Sequence, residues 1–504
     1  MATVITTAGK QRPEAVRLPG ALPAWALPLA LLLVLIMINP RLYVGGGGDD
    51  WHYLQAARCA AGHGLCLPGD HWSARFPLVL PAGAALAVLG EGEWTLALVP
   101  LLYAAAGILL FVANVERRYG RPAAMLAGAA LALTPLFPLS ALRLGVDFPE
   151  FAWMMAGLLA IQKALERNDA RWAALAGAAL ALAMMSRAGT AALLAVLALG
   201  WLLLDRRRKL LALPFAAGFT ALLGGEVLAY AAATGDPFFG WKLSLNHGRI
   251  PTTELPDSVD LSRSPILNLD FISNWRRSMG IHVHWIVDPM LNLLANPLGG
   301  LTLCGALGVG LARGGDWRRD RWLPWLAAAA LLHFVLLTYV LAVDPKPRMF
   351  LFGHAVAAAT LGVLGVRAWR GGGRLIVVVL AVLLAGRAML VVYDQPNLAR
   401  VRAVAAEWVA AAPQGSLAAD EWTRRTIALV PSAQDMPVVE QAPYRLRLTL
   451  APKPCTGGTV LREQRFERAE WRLAAWLRAH ELLLRPQVPL RLCLVRPGPR
   501  NAGG

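Results

Sequence analysis

The stretch 21–59 reads ALPAWALPLALLLVLIMIN, then PRLYVGGGG, then DDWHYLQAARC, and its three parts settle what kind of molecule this is. The first part is apolar without a charge for long enough to span a bilayer, which needs roughly 20 residues. Lys10, Arg12 and Arg17 precede it, so the bias of basic residues toward the cytoplasm keeps the N-terminus inside. The acid pair Asp49–Asp50 then emerges on the far face. Nothing like a small-residue cleavage site follows the apolar run, so it reads as an anchor rather than a removed signal peptide.

Outward from this stretch the pattern repeats. The chain has 504 residues, 57% of them hydrophobic and 16% charged, with a mean hydropathy of +0.49. Apolar segments at 21–39, 93–114, 122–142, 148–165, 172–186, 188–204, 210–233, 294–312, 322–342, 349–369 and 374–393 make a polytopic α-helical membrane protein of about eleven spans. The formal charge of +17 is not a nucleic-acid signal. Its basic residues cluster as VERRYGR (115–121), LERNDAR (165–171), DRRRK (205–209), ARGGDWRRDR (312–321) and RAWRGGGR (367–374), each between apolar runs. Counting from the first span, every one of these loops is cytoplasmic, which makes the charge a topology signal first.

The same count exports loops 40–92 and 234–293, and separates a transmembrane domain, 1–393, from an exported soluble domain, 394–504. The latter holds alternating stretches YRLRLTL (444–450) and VPLRLCLVRP (488–497), which predict strands. It also holds LREQRFERAEWRLAAWLRAHELLLR (461–485), whose spacing predicts a helix. Together they predict a small α/β domain. Cys59 and Cys66 share the first exported loop, and Cys455 and Cys493 share the C-terminal domain, so two disulfides are expected in an oxidising compartment. Cys304 lies alone in a span.

Several polar residues gather on the exported face. Asp49 and Asp50 follow four glycines at the membrane edge, where two neighbouring acids raise one another's pKa and one becomes a proton acceptor. A solvated loop end or helix cap explains the pair equally. GDHWSARFPLVLPAGAALAVLG (69–90) is too short to span and reads as an interfacial helix, with Arg75 at its start as a phosphate ligand or a headgroup anchor. Asp147, in RLGVDFPEFAWMM (143–155), opens a span ahead of Pro149, either as a helix cap or as a second site acid with Arg143 for its partner. Arg187, Lys346 and Arg348 are further exported cations, fit to hold phosphate or to snorkel.

His52, His63 and His71 share the first loop without zinc-ligand spacing; a divalent ion held by Asp49, Asp50 and a histidine is possible but not required. His282 and His284 read as interfacial. No phosphate-binding GxxxxGK[ST] and no dinucleotide fingerprint occurs, which argues against ATP- or NAD-driven chemistry. Tryptophan outnumbers tyrosine 18 to 8. Many tryptophans flank spans as an interfacial belt, but Trp51, Trp72, Trp241, Trp275 and Trp285 lie in exported loops, where an aromatic face can also stack on a sugar.

Four patches, in order, resemble the GT-C superfamily of integral-membrane glycosyltransferases. Within it they are closest to the family 39-like branch, which contains the lipid A aminoarabinose transferases and the protein O-mannosyltransferases. The patches are DDWHYLQAARCAAGHG (49–64), HWSARFPLVLPAGAALAVLGEGEW (71–94), RLGVDFPEFAWMM and KPRMFLFGHAV (346–356). Phe76–Pro77 stands where the family usually has a double proline, and Met349 where a tyrosine often follows the late arginine.

The resemblance implies inverting transfer of a sugar from a polyprenyl-phosphate donor to a hydroxyl of an envelope lipid, polysaccharide or protein. It places this chemistry at the periplasmic face of a bacterial inner membrane. It further implies Asp49 as general base supported by Asp50, and Asp147 as the second site acid. Arg75, Arg348 and Arg187 would hold the donor phosphate, with Tyr53, His52 and Trp72 beside the substrate and no required cofactor. A lipid-linked sugar flippase or a non-catalytic assembly scaffold are the other readings. Candidate acids at span ends rather than mid-membrane favour the enzyme.

Overall fold

The computed structural model describes residues 22–40, 49–64, 66–204, 209–245, 286–296, 298–312, 322–340, 346–394, 398–413, 416–429, 442–450, 455–456, 458–466 and 490–497. A helix occupies each of the eleven apolar segments. In chain order the first eleven helices are α1 (Ala26–Ile38), α2 (Asp49–His63), α3 (Phe76–Leu89), α4 (Glu93–Tyr119), α5 (Arg121–Ala132), α6 (Leu136–Ser140), α7 (Asp147–Arg167), α8 (Ala170–Ser186), α9 (Ala188–Leu204), α10 (Ala212–Thr234) and α11 (Phe239–Leu245). Helices at Asp288–Ala295, Gly300–Ala312, Trp322–Val335, Leu351–Arg370 and Arg374–Asp394 follow. Among the described residues five helices are long and apolar enough to cross a bilayer, or six if one bent pair is a single crossing. Length and apolarity alone thus establish about half of the expected spans.

Two segments expected as straight spans are not straight. Residues 122–142 divide into α5 and α6, where Pro135 takes the cap position of the second helix. The approach to 294–312 bends by 103° between Pro289–Ala295 and Gly300–Leu311. The acid-bearing segment 49–63, expected as a loop, is itself the helix α2. By contrast α3, at 14 residues, is as short as an interfacial helix should be.

Helix ends follow local chemistry. Gly120, at φ 82°, closes α4 and opens α5, a backbone region that favours glycine. Asp169 caps α8 by accepting from the Arg171 N–H at 2.8 Å. Small residues then let helices meet at the backbone. A Cβ at Gly177 of α8 would come within 2.0 Å of the Phe215 carbonyl of α10, and one at Gly218 within 2.0 Å of the Ala174 carbonyl. Under the start of α7, Phe137 meets Phe148 and Phe151 edge-to-face at 5.1 and 5.3 Å.

The C-terminal region is a four-stranded sheet in the order β1-β2-β4-β3, formed by Leu417–Ala419 (β1), Tyr444–Leu450 (β2), Thr459–Phe466 (β3) and Leu490–Arg496 (β4). Helix Leu398–Ala410 buries Val401, Ala405 and Trp408 against Leu446, Leu448 and Leu492. Strands β2 and β4 occupy the stretches predicted for them. The start of the predicted helix 461–485 is instead in β3, paired antiparallel to β4. The open edge of β4 offers backbone donors and acceptors, and satisfying them overrides the helical spacing of 461–466. Residues 467–485 lie outside the described residues, as do His282, His284, Trp275 and Trp285.

Both expected disulfides are present, Cys59–Cys66 and Cys455–Cys493, each with Cα atoms 6.1 Å apart. The first closes the end of α2. The sheet region docks on that same helix. Arg58 of α2 donates to the Ala428 carbonyl at 3.1 Å and pairs with Glu91 at 2.5 Å. Arg402 pairs with Glu93, and Arg424 lies 5.9 Å from the Trp51 ring. The helix that carries Asp49 is therefore braced at one end by a disulfide and along its side by the C-terminal region.

Candidate active site

Helices α2, α8, α10 and α11, the loop 71–75 ahead of α3, His333 and the segment 346–349 line a cavity of about 420 Å³. Asp49, Tyr53, Trp72, Arg75, Arg187 and Arg348 all line it, so six of the nine residues singled out from sequence come together. Lys346 joins them on the wall.

Asp49 accepts a hydrogen bond from Arg348 Nη2 at 2.8 Å across 299 positions of sequence. The Trp72 side chain also hydrogen-bonds it. Burial pushes the Asp49 carboxyl up, but the Arg348 and Arg143 guanidiniums and these hydrogen bonds hold it below the usual carboxylate range. For Asp49 the sequence argument that its neighbouring acid raises its pKa is therefore overturned: each of the two acids has its own arginine. Asp50 is fully buried and accepts from Arg143 Nε at 2.7 Å and Nη2 at 2.5 Å.

Arg143 is thus the partner of Asp50, not of Asp147 as expected. Asp147 is bound by Arg187 Nη2 at 2.6 Å, and Arg187 Nη1 reaches Glu150 at 2.9 Å. Nor does Asp147 cap its helix: it is the first residue of α7, and Val146 holds the cap position without a side-chain bond. The Asp147 carboxylate is buried behind the cavity wall, with Arg187 between it and the open space.

Three of the residues singled out from sequence shape the wall: Tyr53 and Trp72 line it, and His52 stands behind Trp72. Tyr53 lies one helical turn after Asp49, and burial pushes its phenol well above the usual range, so it stays a hydrogen-bond donor. His52 stacks on Trp72 with ring centroids 3.9 Å apart and shares a 2.9 Å hydrogen bond with Asp70. It backs Trp72 instead of lining the space. Burial raises the Asp70 carboxyl, but bonds from His52, the Ser73 hydroxyl and the Ser73 N–H bring it down to about 2. Asp70 is consequently a fixed anion that orients His52, and through it Trp72.

Arg75 differs from the other two arginines. Arg348 and Arg187 each bind a carboxylate. The Arg75 side chain makes no ion pair or hydrogen bond among the described residues; burial lowers its pKa, and Tyr53, Arg187, Glu226 and Glu150 act on it only through space. Its donors are available to an anion.

Sequence reading missed Glu150 and Glu226. Glu150 is three residues after Asp147, the spacing that puts both acids on one helical face. Glu226 is the single charged residue of α10 and lines the cavity. An ionisable residue in such a helix is a functional candidate by itself. Among the described residues no group of three or more His, Cys, Asp or Glu is placed to hold a metal ion. Asp50 is bound to Arg143 and His52 to Asp70, while His71 lines the cavity with Asp49.

The sequence signature of the dolichyl-phosphate-mannose-protein mannosyltransferases matches residues 77–228, which run from α3 into α10. Among solved structures, ArnT from Cupriavidus metallidurans bound to undecaprenyl phosphate aligns with 93% of this chain and 97% of its own, at 13% identity and a TM-score of 0.51. The oligosaccharyltransferase of Archaeoglobus fulgidus, in complex with zinc and sulfate, aligns over 84% of this chain and 68% of its own, at 13% identity and a TM-score of 0.52. This chain carries the GT-C fold. No curated protein matches it by sequence.

Proposed function

We propose that this protein is an inverting glycosyltransferase. It moves a sugar from a polyprenyl-phosphate donor to a hydroxyl of an envelope lipid, polysaccharide or protein at the periplasmic face of the inner membrane. The observation that carries the reading is one cavity in which a carboxylate, Asp49, faces three arginines, one of them without a bound carboxylate. ArnT is described with undecaprenyl phosphate, and an anionic lipid headgroup is the ligand such a cation cluster would hold.

In this reading Asp49 takes the proton of the acceptor hydroxyl as its oxygen bonds to the anomeric carbon. The bond from that carbon to the phosphate oxygen breaks, and polyprenyl phosphate leaves with the electron pair. Arg75 and Arg348 meet the charge growing on the phosphate, in a space half-shielded from water. Donor phosphate competes with Asp49 for Arg348. Once Arg348 turns to the phosphate, Asp49 loses one of the two cations that depress its pKa and becomes a stronger base. Asp50 and Arg143, and Arg187 with Asp147 and Glu150, hold α2, α7 and α8 in register around it.

The test uses purified protein in lipid nanodiscs with polyprenyl-phosphate sugars and envelope extracts as acceptor. Release of polyprenyl phosphate with glycosylated product is expected. Movement of the donor between leaflets without product would make the chain a transporter instead. Arg75→Ala should raise the donor KM about 10- to 100-fold, the worth of one charge-assisted hydrogen bond, and leave the acceptor KM nearly unchanged. Arg75→Lys should recover part of it, since the charge returns without the planar fork. An unaltered donor KM in Arg75→Ala would make Arg75 a headgroup anchor.

The orientation has its own test. Basic loops put residues beyond 394 outside the cytoplasm, so a periplasm-active reporter fused after residue 400 should be active and a cytoplasm-active one silent. The reverse result would defeat the periplasmic site.

A further inference from the structure

The wall of the cavity made by α10 and α11 has no part in the chemistry assigned so far, yet it is built with care. Gly240 lies so close to Tyr230 that a Cβ there would sit 2.6 Å from the ring. Phe239 packs on the same ring at 5.5 Å. Lys242 binds Asp236 at 2.8 Å. These contacts fix α11 against the end of α10 and hold Trp241, 44% exposed, on the cavity wall. On the same wall stands Glu226.

The Glu226 side chain has no bonded partner among the described residues. Among the described residues the other acids around the cavity are taken: Asp49 by Arg348, Asp50 by Arg143, Asp147 and Glu150 by Arg187. Glu226 makes no hydrogen bond or ion pair there, and the Arg75 guanidinium is the one charge acting on it. An ionisable group in an apolar helix is costly and is retained for a ligand or a pathway. Its chemistry is specific. A carboxylate presents two acceptor oxygens and no donor when ionised, so it suits a partner carrying several hydroxyls. The exposed Trp241 indole that lines the same cavity suits the C–H face of a pyranose or furanose ring. Arg75, which acts on Glu226 through space, is the cavity's available anion ligand.

We propose that Glu226 and Trp241 form the subsite for the donor's sugar ring, with Glu226 accepting hydrogen bonds from ring hydroxyls and thereby selecting the sugar. This rests on the polyprenyl-phosphate reading of the same cavity. Phosphate on Arg75 places the attached ring beside it, against Trp241, with its hydroxyl edge toward Glu226. Asp49 then approaches from the opposite wall, where the acceptor enters.

The experiment measures binding of full-length protein in nanodiscs to undecaprenyl phosphate alone and to undecaprenyl-phosphate hexose, N-acetylhexosamine and pentose. At least one glycosylated lipid is expected to bind 10-fold or more tightly than the bare lipid phosphate. Glu226→Gln should reduce that ratio at least 5-fold with no loss of bare-lipid affinity. Trp241→Ala should do the same and Trp241→Phe should retain most of the ratio. Glu226→Asp, which keeps the charge and shortens its reach, should change which sugar is preferred.

An unchanged ratio in Glu226→Gln, with tighter binding of bare lipid phosphate, would make Glu226 only the counter-charge of Arg75 and overturn the subsite. A wild-type protein that binds bare and glycosylated lipids alike overturns the subsite and leaves the donor reading standing. Failure to bind any of these lipids removes both.

Discussion

Asp49→Asn is expected to lower turnover about 10³-fold, within the range a positioned general base contributes, while donor binding falls little. Asparagine keeps the shape of the side chain and its hydrogen bond from Trp72, but it cannot take a proton. It also frees Arg348, whose bond to Asp49 is 2.8 Å, and a freed guanidinium binds phosphate at least as well. The effect should therefore appear in kcat and hardly in the donor KM. The pH profile sharpens this. Arg348, Arg143 and Trp72 hold the Asp49 carboxyl below its ordinary range. A depressed pKa means that the carboxylate and its bond to Arg348 persist from neutral pH downward and are lost only as pH falls through that lowered value. An acid limb belonging to Asp49 should vanish in Asp49→Asn. Asp50→Asn should behave differently: its carboxylate is fully buried on Arg143, so stability should fall more than chemistry. Full turnover by Asp49→Asn on a purified donor would end the general-base role.

The contrast between the two adjacent acids shows what a sequence can and cannot disclose here. The helices in the apolar segments were legible because a bilayer demands long apolar runs. The place of Asp49 was legible for the same reason, since it follows the first span. Partner choice was not. Arg143 stands four residues before Asp147, a neighbour only if one helix ran through both. The chain instead turns between α6 and α7, and Arg143 swings to Asp50, 93 positions away in sequence. Glu226 was legible in principle, as a single acid in an apolar helix, but a count of acids at span ends passes over it. The stretch 459–466 carries helical spacing, and only the presence of β4 beside it, about 30 residues later in the chain, makes it a strand.

The largest effect on the fold itself is expected at Arg187. This side chain bridges Asp147 and Glu150 at 2.6 and 2.9 Å, and the two carboxylates are 5% and 3% exposed. Both acids belong to the first turn of α7, while Arg187 ends α8, so one guanidinium fork ties two helices at the cavity wall. Arg187→Ala leaves two like charges buried one helical turn apart with no cation. Breaking a buried pair from one side typically costs about 3–5 kcal/mol, and here two partners are stranded. The variant should express poorly, and what is recovered should unfold at a markedly lower temperature in detergent or nanodiscs. Arg187→Lys should recover little, because a single ammonium does not match two carboxylates as a planar fork does. The decisive arm is Arg187→Ala combined with Glu150→Gln, which removes one of the stranded charges. It should unfold at a higher temperature than Arg187→Ala alone, by an amount that Glu150→Gln does not produce in the wild-type background. If Arg187→Ala keeps wild-type stability and loses only donor affinity, Arg187 is a phosphate ligand, as the sequence first implied, and not the brace that its two carboxylates make of it.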